Sequence, residues 1–216
     1  MLGLSLVCAV PVAAVLGAAV QACCQHGAVA AMAVGGLWTG FALFCLGFFR
    51  DPDPAWNAPP DAWLSPAHGV VDIIDEVTES EFMAGCCRRI SIFLSVFDVH
   101  VQNAPVNGRV VYHRHHAGEF LNALRLESAA RNENVLLGFE AGGSPDRRVA
   151  VRLIAGLIAR RIVSWVAQGD VVDRGERISL IQFGSRVELY LPLTARVQVG
   201  LGDRVRGGVT VLALPG

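Results

Sequence analysis

The chain has 216 residues, of which 53% are hydrophobic and 17% charged, and its formal net charge is −1. This length allows one domain of ordinary size plus an appendage. All 18 basic residues are arginine and they form no basic block, which argues against a nucleic-acid-binding protein. The lack of lysine also excludes covalent carriage of biotin, lipoate or pyridoxal phosphate, each of which needs a lysine amine.

The N-terminal segment, residues 1–49, contains no Asp, Glu, Lys or Arg. Residues 2–20 and 28–49 are each apolar over the length of a membrane-spanning helix, which is about 20 residues. The short polar break at 21–27 predicts a membrane-associated helical hairpin over residues 1–49, with a re-entrant anchor in one leaflet as the alternative. Arg50 follows the segment and favours a cytoplasmic position for the rest of the chain.

A proline-rich stretch, residues 50–61, predicts an extended linker, because proline blocks helices and makes the preceding residue extended. Residues 62–216 alternate short apolar segments with Gly, Pro, Asn and Asp, which predicts a mainly β (α+β) domain. Residues 149–159 fit either a buried strand or a helical turn, and a short helix is predicted over 120–128. The clearest strand segments are residues 70–74, 89–94, 108–112 and 134–139.

One seven-residue pattern, Gly-Asp-x-Val-x-x-Gly, occurs at 169–175 and again 33 positions later at 202–208. Each copy precedes an apolar strand, and we expect the first glycine to supply a positive φ while the aspartate caps the turn. Such turns are typical of barrel-sandwich hybrids. The repeat therefore predicts a β domain resembling a barrel-sandwich hybrid.

Three histidines and an arginine form the cluster His113-Arg114-His115-His116, which raises the question of a metal site. No paired Cys or Glu stands at a ligand spacing that would complete one. We therefore predict a solvated turn before Gly118 and no bound metal.

The tetrapeptide Phe183-Gly184-Ser185-Arg186 lies inside an apolar alternating segment. In a strained turn between two strands, the Ser185 hydroxyl can attack the preceding carbonyl, giving an ester that breaks by β-elimination. The new N-terminus is then a pyruvoyl group, an electrophilic ketone that forms a Schiff base with a substrate amine. On this dipeptide alone, an ordinary hairpin turn is the more frequent explanation.

Several further motifs follow one another in an order and spacing that span residues 48–213. Through them the chain resembles the phosphatidylserine decarboxylase proenzymes of the short, membrane-associated bacterial type. The motifs are FFRDP at 48–52, SPAHGVV at 65–71, SVFDVHV at 95–101, APVNG at 104–108, NEN at 132–134, GERI at 175–178, FGSRV at 183–187 and LP at 191–192.

The resemblance implies self-cleavage between Gly184 and Ser185, into a larger chain of residues 1–184 and a smaller chain of residues 185–216. Ser185 would become the covalent pyruvoyl cofactor, and no other cofactor is implied. The two chains would form a heterodimer, with a higher oligomer left open. The implied substrate is phosphatidylserine in the membrane, converted to phosphatidylethanolamine and CO₂ in phospholipid biosynthesis. The implied location is the cell (inner) membrane, with the catalytic domain on its cytoplasmic side.

The resemblance also implies that His100, in the Asp98-Val99-His100 segment, is the general acid or base, since imidazole exchanges protons near neutral pH. It suggests that Arg131, Asn132 and Glu133 line the site. Two positions depart from the family pattern. His68 stands where longer relatives have an aspartate, and Asn103 stands where they have a second histidine. The base for self-cleavage is therefore open between His68 and His100.

Two other functions fit parts of the sequence. A non-catalytic, membrane-anchored barrel-sandwich adaptor would explain the apolar segment and the Gly-Asp repeat, but it leaves the combined motifs at His100 and 183–187 unexplained. A pyruvoyl decarboxylase of a soluble amino acid derivative would use Ser185 in the same way, but its substrate would not require a membrane anchor.

Overall fold

The computed structural model describes residues 3–53, 58–119, 131–142, 147–156, 161–181 and 185–216. The chain divides into two compact units, residues 1–47 and 48–216. The predicted helix over 120–128 and residues 157–159 of the ambiguous segment lie outside the described residues.

The first unit is helical. Helix α1 spans Gly3–Phe48 without a break, so the predicted helical hairpin is wrong. The polar segment at 21–27 consists mostly of Gln, Ala and Cys, which a helix tolerates, and its one glycine costs only about 1 kcal/mol in a helix interior. Within α1, Gly27–Phe48 has a mean hydropathy of 1.9 and is long and apolar enough to cross a membrane. The helix is therefore compatible with membrane association.

The second unit consists mainly of β-strands, which confirms the predicted fold class. Its strands are β1 (Trp63–Leu64), β2 (Gly69–Glu79), β3 (Gly85–Leu94), β4 (Val101–Asn103), β5 (Gly108–His116), β6 (Asn134–Ala141), β7 (Arg148–Ala155), β8 (Ile162–Ser164), β9 (Val171–Val172), β10 (Arg177–Ile181), β11 (Ser185–Leu191), β12 (Arg196–Val197), β13 (Arg204–Val205) and β14 (Val211–Leu214).

These strands form one large and two small sheets. The eight-stranded sheet has the order β13-β2-β3-β11-β7-β6-β5-β9, and the three-stranded sheets are β1-β14-β12 and β4-β10-β8. All the strand pairs among them are antiparallel. Strand β11 lies between β3 and β7, in the interior of the large sheet. Its chain neighbour β10 belongs to a different sheet.

Alternate residues of the large sheet face a common apolar core, as the period of two in a strand requires. On β11 the core side chains are Val187, Leu189 and Leu191, while Arg186, Glu188 and Tyr190 face the other way. The core also includes Ile90, Ile92, Leu94, Val135, Leu137, Phe139, Val149, Val151 and Leu153.

The two Gly-Asp turns have the predicted geometry. Gly169 and Gly202 adopt φ angles of +105° and +87°. Asp170 Oδ2 accepts a hydrogen bond from the Ala167 amide at 2.8 Å, and Asp203 Oδ2 accepts one from Gly200 at 2.8 Å. The turns precede β9 and β13, the two edge strands of the large sheet. The repeat is confirmed as a pair of equivalent capped turns.

The histidine cluster at 113–116 lies on β5, so the predicted solvated turn is wrong. The segment continues as a strand because its backbone pairs with β6, in a register that runs to His116 opposite Asn134. The ambiguous segment at 149–159 is a strand, β7, up to Ala155.

Both described ends of the linker are held on the second unit. Arg177 forms ion pairs with Asp51 at 2.6 Å and with Asp53 at 2.7 Å. On the other side of 54–57, the buried Arg174 donates hydrogen bonds to the carbonyl oxygens of Pro59, Pro60 and Ala62. The proline-rich stretch is therefore attached to the β domain through two arginines.

Candidate active site

Ser185 is the first residue of β11 and lies in the interior of the large sheet. It is opposite Leu94 of β3 on one side and Ala155 of β7 on the other. Its side chain is fully buried, and within the described part of the chain the hydroxyl oxygen has no hydrogen-bond partner. A buried polar atom left without a partner costs about 1–3 kcal/mol, so it calls for a functional explanation.

The segment before Ser185 connects two sheets. Strand β10 ends at Ile181 in the sheet β4-β10-β8, and β11 begins at Ser185 in the eight-stranded sheet. Only residues 182–184 join them. Gly184, the predicted cleavage residue, lies outside the described residues. Ile181 and Ser185, the described residues on either side of 182–184, are both fixed by strand pairing.

His100 is bound to the end of β10 through its backbone. Its carbonyl oxygen accepts hydrogen bonds from the Ile181 amide at 3.2 Å and from Gln102 Nε2 at 2.6 Å. Gln102 in turn accepts a hydrogen bond from Ser179 Oγ at 2.8 Å. Since four residues span at most about 14 Å, the chain alone keeps Ser185 near the Ile181–His100 contact.

The imidazole of His100 is fully buried. Its Nδ1 lies 2.9 Å from the carbonyl oxygen of Asp98, and the Phe48 ring packs on it with a centroid distance of 4.3 Å. Burial lowers the pKa of His100 below its usual 6.5, and the positive charge of Arg50 lowers it further, while the Asp98 carbonyl and carboxylate act in the opposite direction. The neutral ring is therefore favoured at neutral pH.

Asp98 holds the loop before His100 in place. Its Oδ2 accepts hydrogen bonds from the Ser95 amide at 2.9 Å and the Ser95 hydroxyl at 2.8 Å. Its Oδ1 lies 2.6 Å from Arg204 Nη2. With its carboxylate bound on both sides, the Asp98 carbonyl is fixed as the partner of His100.

Asn132 is close to Ser185 through β7. Its side-chain amide donates a hydrogen bond to the Ala155 carbonyl at 2.7 Å, and Ala155 is the cross-strand neighbour of Ser185. Its neighbours lie differently. Arg131 and Glu119 form an exposed ion pair at 2.6 Å, and Glu133 lies 3.0 Å from His115. The Glu133 backbone carbonyl also accepts a hydrogen bond from the Ala155 amide at 2.9 Å. Asn132 is therefore connected to the strand neighbour of Ser185 through its side chain, and Glu133 through its backbone.

His68 lies in a different environment from His100. It is half-buried, and its ring and the Asn103 side chain both lie against Gly207, where a Cβ would be 3.0 Å from His68 Cδ2 and 2.7 Å from Asn103 Oδ1. Burial lowers the pKa of His68, against the opposing effect of Asp98. The two positions that depart from the family pattern, 68 and 103, are thus neighbours in space.

The histidines on β5 have separate partners. His113 contacts Ser164 at 3.1 Å, His115 contacts Glu133 at 3.0 Å and His116 contacts Glu81 at 2.9 Å. Across the described ranges, no group of three or more His, Cys, Asp or Glu side chains is arranged to hold a metal ion.

Sequence reasoning missed the side chains that support His100. Phe48 belongs to the apolar segment 28–49 and to the FFRDP motif, without a predicted contact to His100, and Gln102 and Ser179 belong to no motif. Their partnership depends on the pairing of β4 with β10, which brings together residues 77 positions apart. The available signal was weak: Ser179 lies between the apolar Ile178 and Leu180, and Gln102 follows Val101.

The fold and the site together define a mainly β enzyme domain behind an apolar N-terminal helix. The family model described as phosphatidylserine decarboxylase matches residues 41–213. The chain belongs to the phosphatidylserine decarboxylase family, which confirms the resemblance stated from the sequence.

Three relatives illustrate the similarity, and each is named phosphatidylserine decarboxylase proenzyme. The protein from Symbiobacterium thermophilum is 44% identical over 83% of this chain and 83% of its own length. That from Desulfotalea psychrophila is 41% identical, covering 82% and 80%, and that from Magnetococcus marinus is 43% identical, covering 81% and 78%. The adaptor and the soluble-substrate alternatives are not favoured by these matches.

Among solved structures, glucose permease IIA from Mycoplasma capricolum matches 70% of this chain and 93% of its own, with 16% identity and a TM-score of 0.43.

Proposed function

We propose that this chain is a proenzyme that cleaves itself between Gly184 and Ser185 and then decarboxylates phosphatidylserine to phosphatidylethanolamine. The observation that carries the proposal is the Ser185 hydroxyl, which is buried at the start of an interior strand and has no hydrogen-bond partner among the described residues. Membership of the family supports the same reaction.

The cleavage reaction uses only atoms of the chain and one water. Ser185 Oγ attacks the Gly184 carbonyl carbon and the peptide C–N bond breaks, which leaves an ester and a free amine on residue 185. Loss of the Cα proton and of the Cβ–O bond then releases Gly184 as a carboxylate. Water replaces the amine nitrogen, which leaves as ammonia, and residue 185 ends as a pyruvoyl group.

The site fits a pyruvoyl group at position 185. Conversion removes the hydroxyl, and no described residue would lose a hydrogen bond by that removal. The group supplies an electrophilic carbonyl that accepts the substrate amine and takes up the electron pair released with CO₂. The chain's own residues must then supply the proton that returns to the substrate carbon.

His100 is the proposed proton donor and acceptor. When its Nδ1–H donates to the Asp98 carbonyl, the neutral ring carries its lone pair on Nε2. The lowered pKa favours this neutral form, which can take up a proton at Nε2 and return it. Phe48 covers the ring and keeps water from it. For the base of self-cleavage, His68 and His100 remain the two candidates.

The two products of cleavage are proposed to stay together as a heterodimer. The smaller piece, residues 185–216, contains β11, β13 and β14, which pair with β3 and β7, with β2, and with β1 in the larger piece. Breaking the peptide bond between residues 184 and 185 removes none of these strand pairings. Helix α1 is proposed to keep the domain at the cytoplasmic face of the cell membrane, where the substrate is.

Intact mass spectrometry of the full-length protein under denaturing conditions tests the proposal. We expect two chains from the wild type, the smaller beginning with a pyruvoyl group at position 185, and a single chain from Ser185→Ala. Ser164→Ala is the matched control and should cleave normally, because Ser164 lies in a different sheet from Ser185 and its hydroxyl is bonded to Val166 O and His113 Nε2. A single uncleaved chain from the wild type would contradict the proposal.

Activity is then measured as formation of phosphatidylethanolamine from phosphatidylserine in mixed detergent micelles. We expect activity from the cleaved wild type, its loss on treatment with hydroxylamine, and none from Ser185→Ala. A cleaved protein without decarboxylase activity would support the proposed self-cleavage but contradict phosphatidylserine as the substrate.

A further inference from the structure

Two adjoining cavities lie beside the proposed active site. Their volumes are about 350 and 300 Å³. They share four lining residues, namely Arg50, His68, Val99 and Arg206. A space of this size, lined by two arginines and a histidine, is suited to a small anionic group.

The arginines that line these cavities outnumber the carboxylates, and each lining carboxylate is already paired. Of the lining carboxylates, Asp53 is paired with Arg177 at 2.7 Å and Asp98 with Arg204 at 2.6 Å. Arg206, by contrast, forms no ion pair with any carboxylate in the described parts of the chain. Its side chain is exposed at the cavity, while its backbone amide donates to Thr210 Oγ1 at 2.9 Å. The turn is therefore fixed, and the guanidinium is available for a ligand.

The cavities also adjoin His100. Val99, which lines both, directly precedes it, and Arg50 follows the Phe48-Phe49 pair whose first ring packs on the imidazole. Arg50 is close enough to act electrostatically on both His68 and His100. The cavities therefore lie next to His100 on the side of Val99 and Arg50.

We propose that Arg206, together with Arg50, binds the phosphodiester anion of the phospholipid head group. The inference rests on the proposed function, because it assigns one part of that substrate to a subsite. Arginine presents two parallel N–H donors that match phosphate oxygens. The phosphodiester is a better occupant than the substrate carboxylate. The carboxylate loses its charge as CO₂ leaves, and an arginine bound to it would stabilise the ground state more than the transition state.

This role predicts a specific kinetic effect. The phosphodiester does not change during decarboxylation, so its binding stabilises the ground state and the transition state equally. Removing the guanidinium should therefore raise KM and leave kcat nearly unchanged. Self-cleavage should also be unaffected, because it involves no phosphate.

Binding is tested first, in full-length Ser185→Ala protein in detergent, so that neither cleavage nor the pyruvoyl group is needed. Isothermal titration calorimetry with glycerophosphoserine should show binding, and the additional change Arg206→Gln should weaken it about tenfold or more. Arg206→Lys should retain part of the affinity. Arg196→Gln is the control, because Arg196 is an exposed arginine bonded to Pro215 O on a different sheet. Free serine, which shares the amine and carboxylate but lacks the phosphodiester, should bind equally to both proteins.

Kinetics are tested second, with short-chain phosphatidylserine below its micelle concentration. We expect Arg206→Gln to cleave normally, to raise KM about tenfold and to change kcat less than twofold. Equal glycerophosphoserine affinity with and without Arg206 would overturn the proposal. The proposal would also be overturned if Arg206→Gln raised KM only with phosphatidylserine vesicles and not with the short-chain substrate. Arg206 would then attract the protein to the anionic membrane surface and would not bind the head group. An uncleaved wild type would refute the proposed function, while the calorimetric result would still decide on the anion subsite.

Discussion

Arg186, the residue after Ser185, forms a two-point ion pair with Asp72 across strand β3. Its Nη1 lies 2.9 Å from Asp72 Oδ1, its Nη2 lies 2.6 Å from Oδ2, and Nη1 also donates to Ser91 Oγ at 2.6 Å. The Arg186 side chain is only 2% exposed. The beginning of β11 is therefore attached to both β3 and β2 by side chains as well as by backbone pairing.

Replacing Asp72 should destabilise the domain strongly. Asp72→Asn removes the partner of a buried guanidinium, which costs about 3 kcal/mol in the free energy of unfolding. The measurement is urea unfolding in detergent, in the uncleaved Ser185→Ala protein. Glu76→Gln is the control, because neither side chain of its pair with Arg88 is buried, at 54% and 27% exposed, and the pair should contribute less than about 1 kcal/mol. Similar losses in the two variants would contradict the importance of the Arg186 pair.

His100→Gln should separate maturation from catalysis. If His100 returns the proton during decarboxylation, kcat should fall by about 10²–10⁴-fold. The amount of cleaved chain, followed by mass spectrometry, shows whether the same residue serves self-cleavage. His68→Gln is the companion variant. Loss of cleavage in His68→Gln alone would assign the cleavage base to His68. Full turnover by His100→Gln would remove His100 from the mechanism.

Acid should destabilise the protein through His100, which is buried, and His68, which is half-buried. The pKa values of His68 and His100 are lowered from 6.5 in the folded state. As the pH falls below about 6.5, the unfolded chain binds more protons than the folded one, so the stability of the fold decreases until the pH passes the folded pKa. Above that range these groups contribute no pH dependence.

The corresponding measurement compares urea midpoints at pH 7.5 and 5.5. His100→Gln, in the Ser185→Ala background, should show a smaller decrease between the two pH values than its parent. Gln198→Ala is the control, because Gln198 is exposed and carries no titratable group, and it should leave the decrease unchanged. An identical decrease in all three proteins would mean that His100 is not held neutral by burial.

Asn132 should affect self-cleavage out of proportion to its effect on stability. Asn132→Ala removes the donor to the Ala155 carbonyl, which costs about 1–3 kcal/mol and loosens the strand opposite Ser185. We expect cleavage to slow about tenfold in a pulse-chase measurement, since misplacement of reacting groups is costly. Asn107→Ala loses a comparable bond, to the Arg174 amide at 2.6 Å, and should cleave at the normal rate. Equal cleavage rates would exclude a positioning role for Asn132.

Gly207 should tolerate no side chain. A Cβ at this position would be 2.7 Å from Asn103 Oδ1 and 3.0 Å from His68 Cδ2. Gly207→Ala should therefore displace both and cost about 1–3 kcal/mol. Gly85→Ala is the control, because nothing lies within 4 Å of its added methyl group. The comparison uses urea unfolding, and a Gly207→Ala protein as stable as Gly85→Ala would mean that the His68 region can rearrange freely.

The sequence was most informative where a local rule determines the structure. The Gly-Asp turns at 169 and 202 were predictable because positive φ and carboxylate capping depend on neighbouring residues. Strand segments such as 89–94 were predictable from apolar alternation. The hairpin at 21–27 is wrong because a polar segment does not require a turn, and a helix tolerates the residues found there. The histidines of β5 were misassigned because local polarity does not report their backbone pairing with β6, the next strand, whose residues are buried.

The site itself was only partly predictable. Motif resemblance proposes Ser185 and His100 as site residues, but their connection through Ile181 requires the pairing of β10 with β4. Likewise, the place of Asn132 depends on β7, and the grouping of Arg206 with Arg50 depends on a turn 156 positions away in the chain. Such contacts depend on tertiary packing, and the periodicity of apolar residues along the sequence does not predict them.

The interior position of β11 limits the ability of the cleaved protein to refold after denaturation. A strand between two others cannot be added at an open edge, so β3, β7 and β11 must come together while they belong to one chain. Once residues 185–216 are a separate piece, refolding after denaturation becomes a bimolecular reaction that must pay the entropy of association. We expect the uncleaved Ser185→Ala protein to recover from urea, and the cleaved protein to persist only because it unfolds slowly.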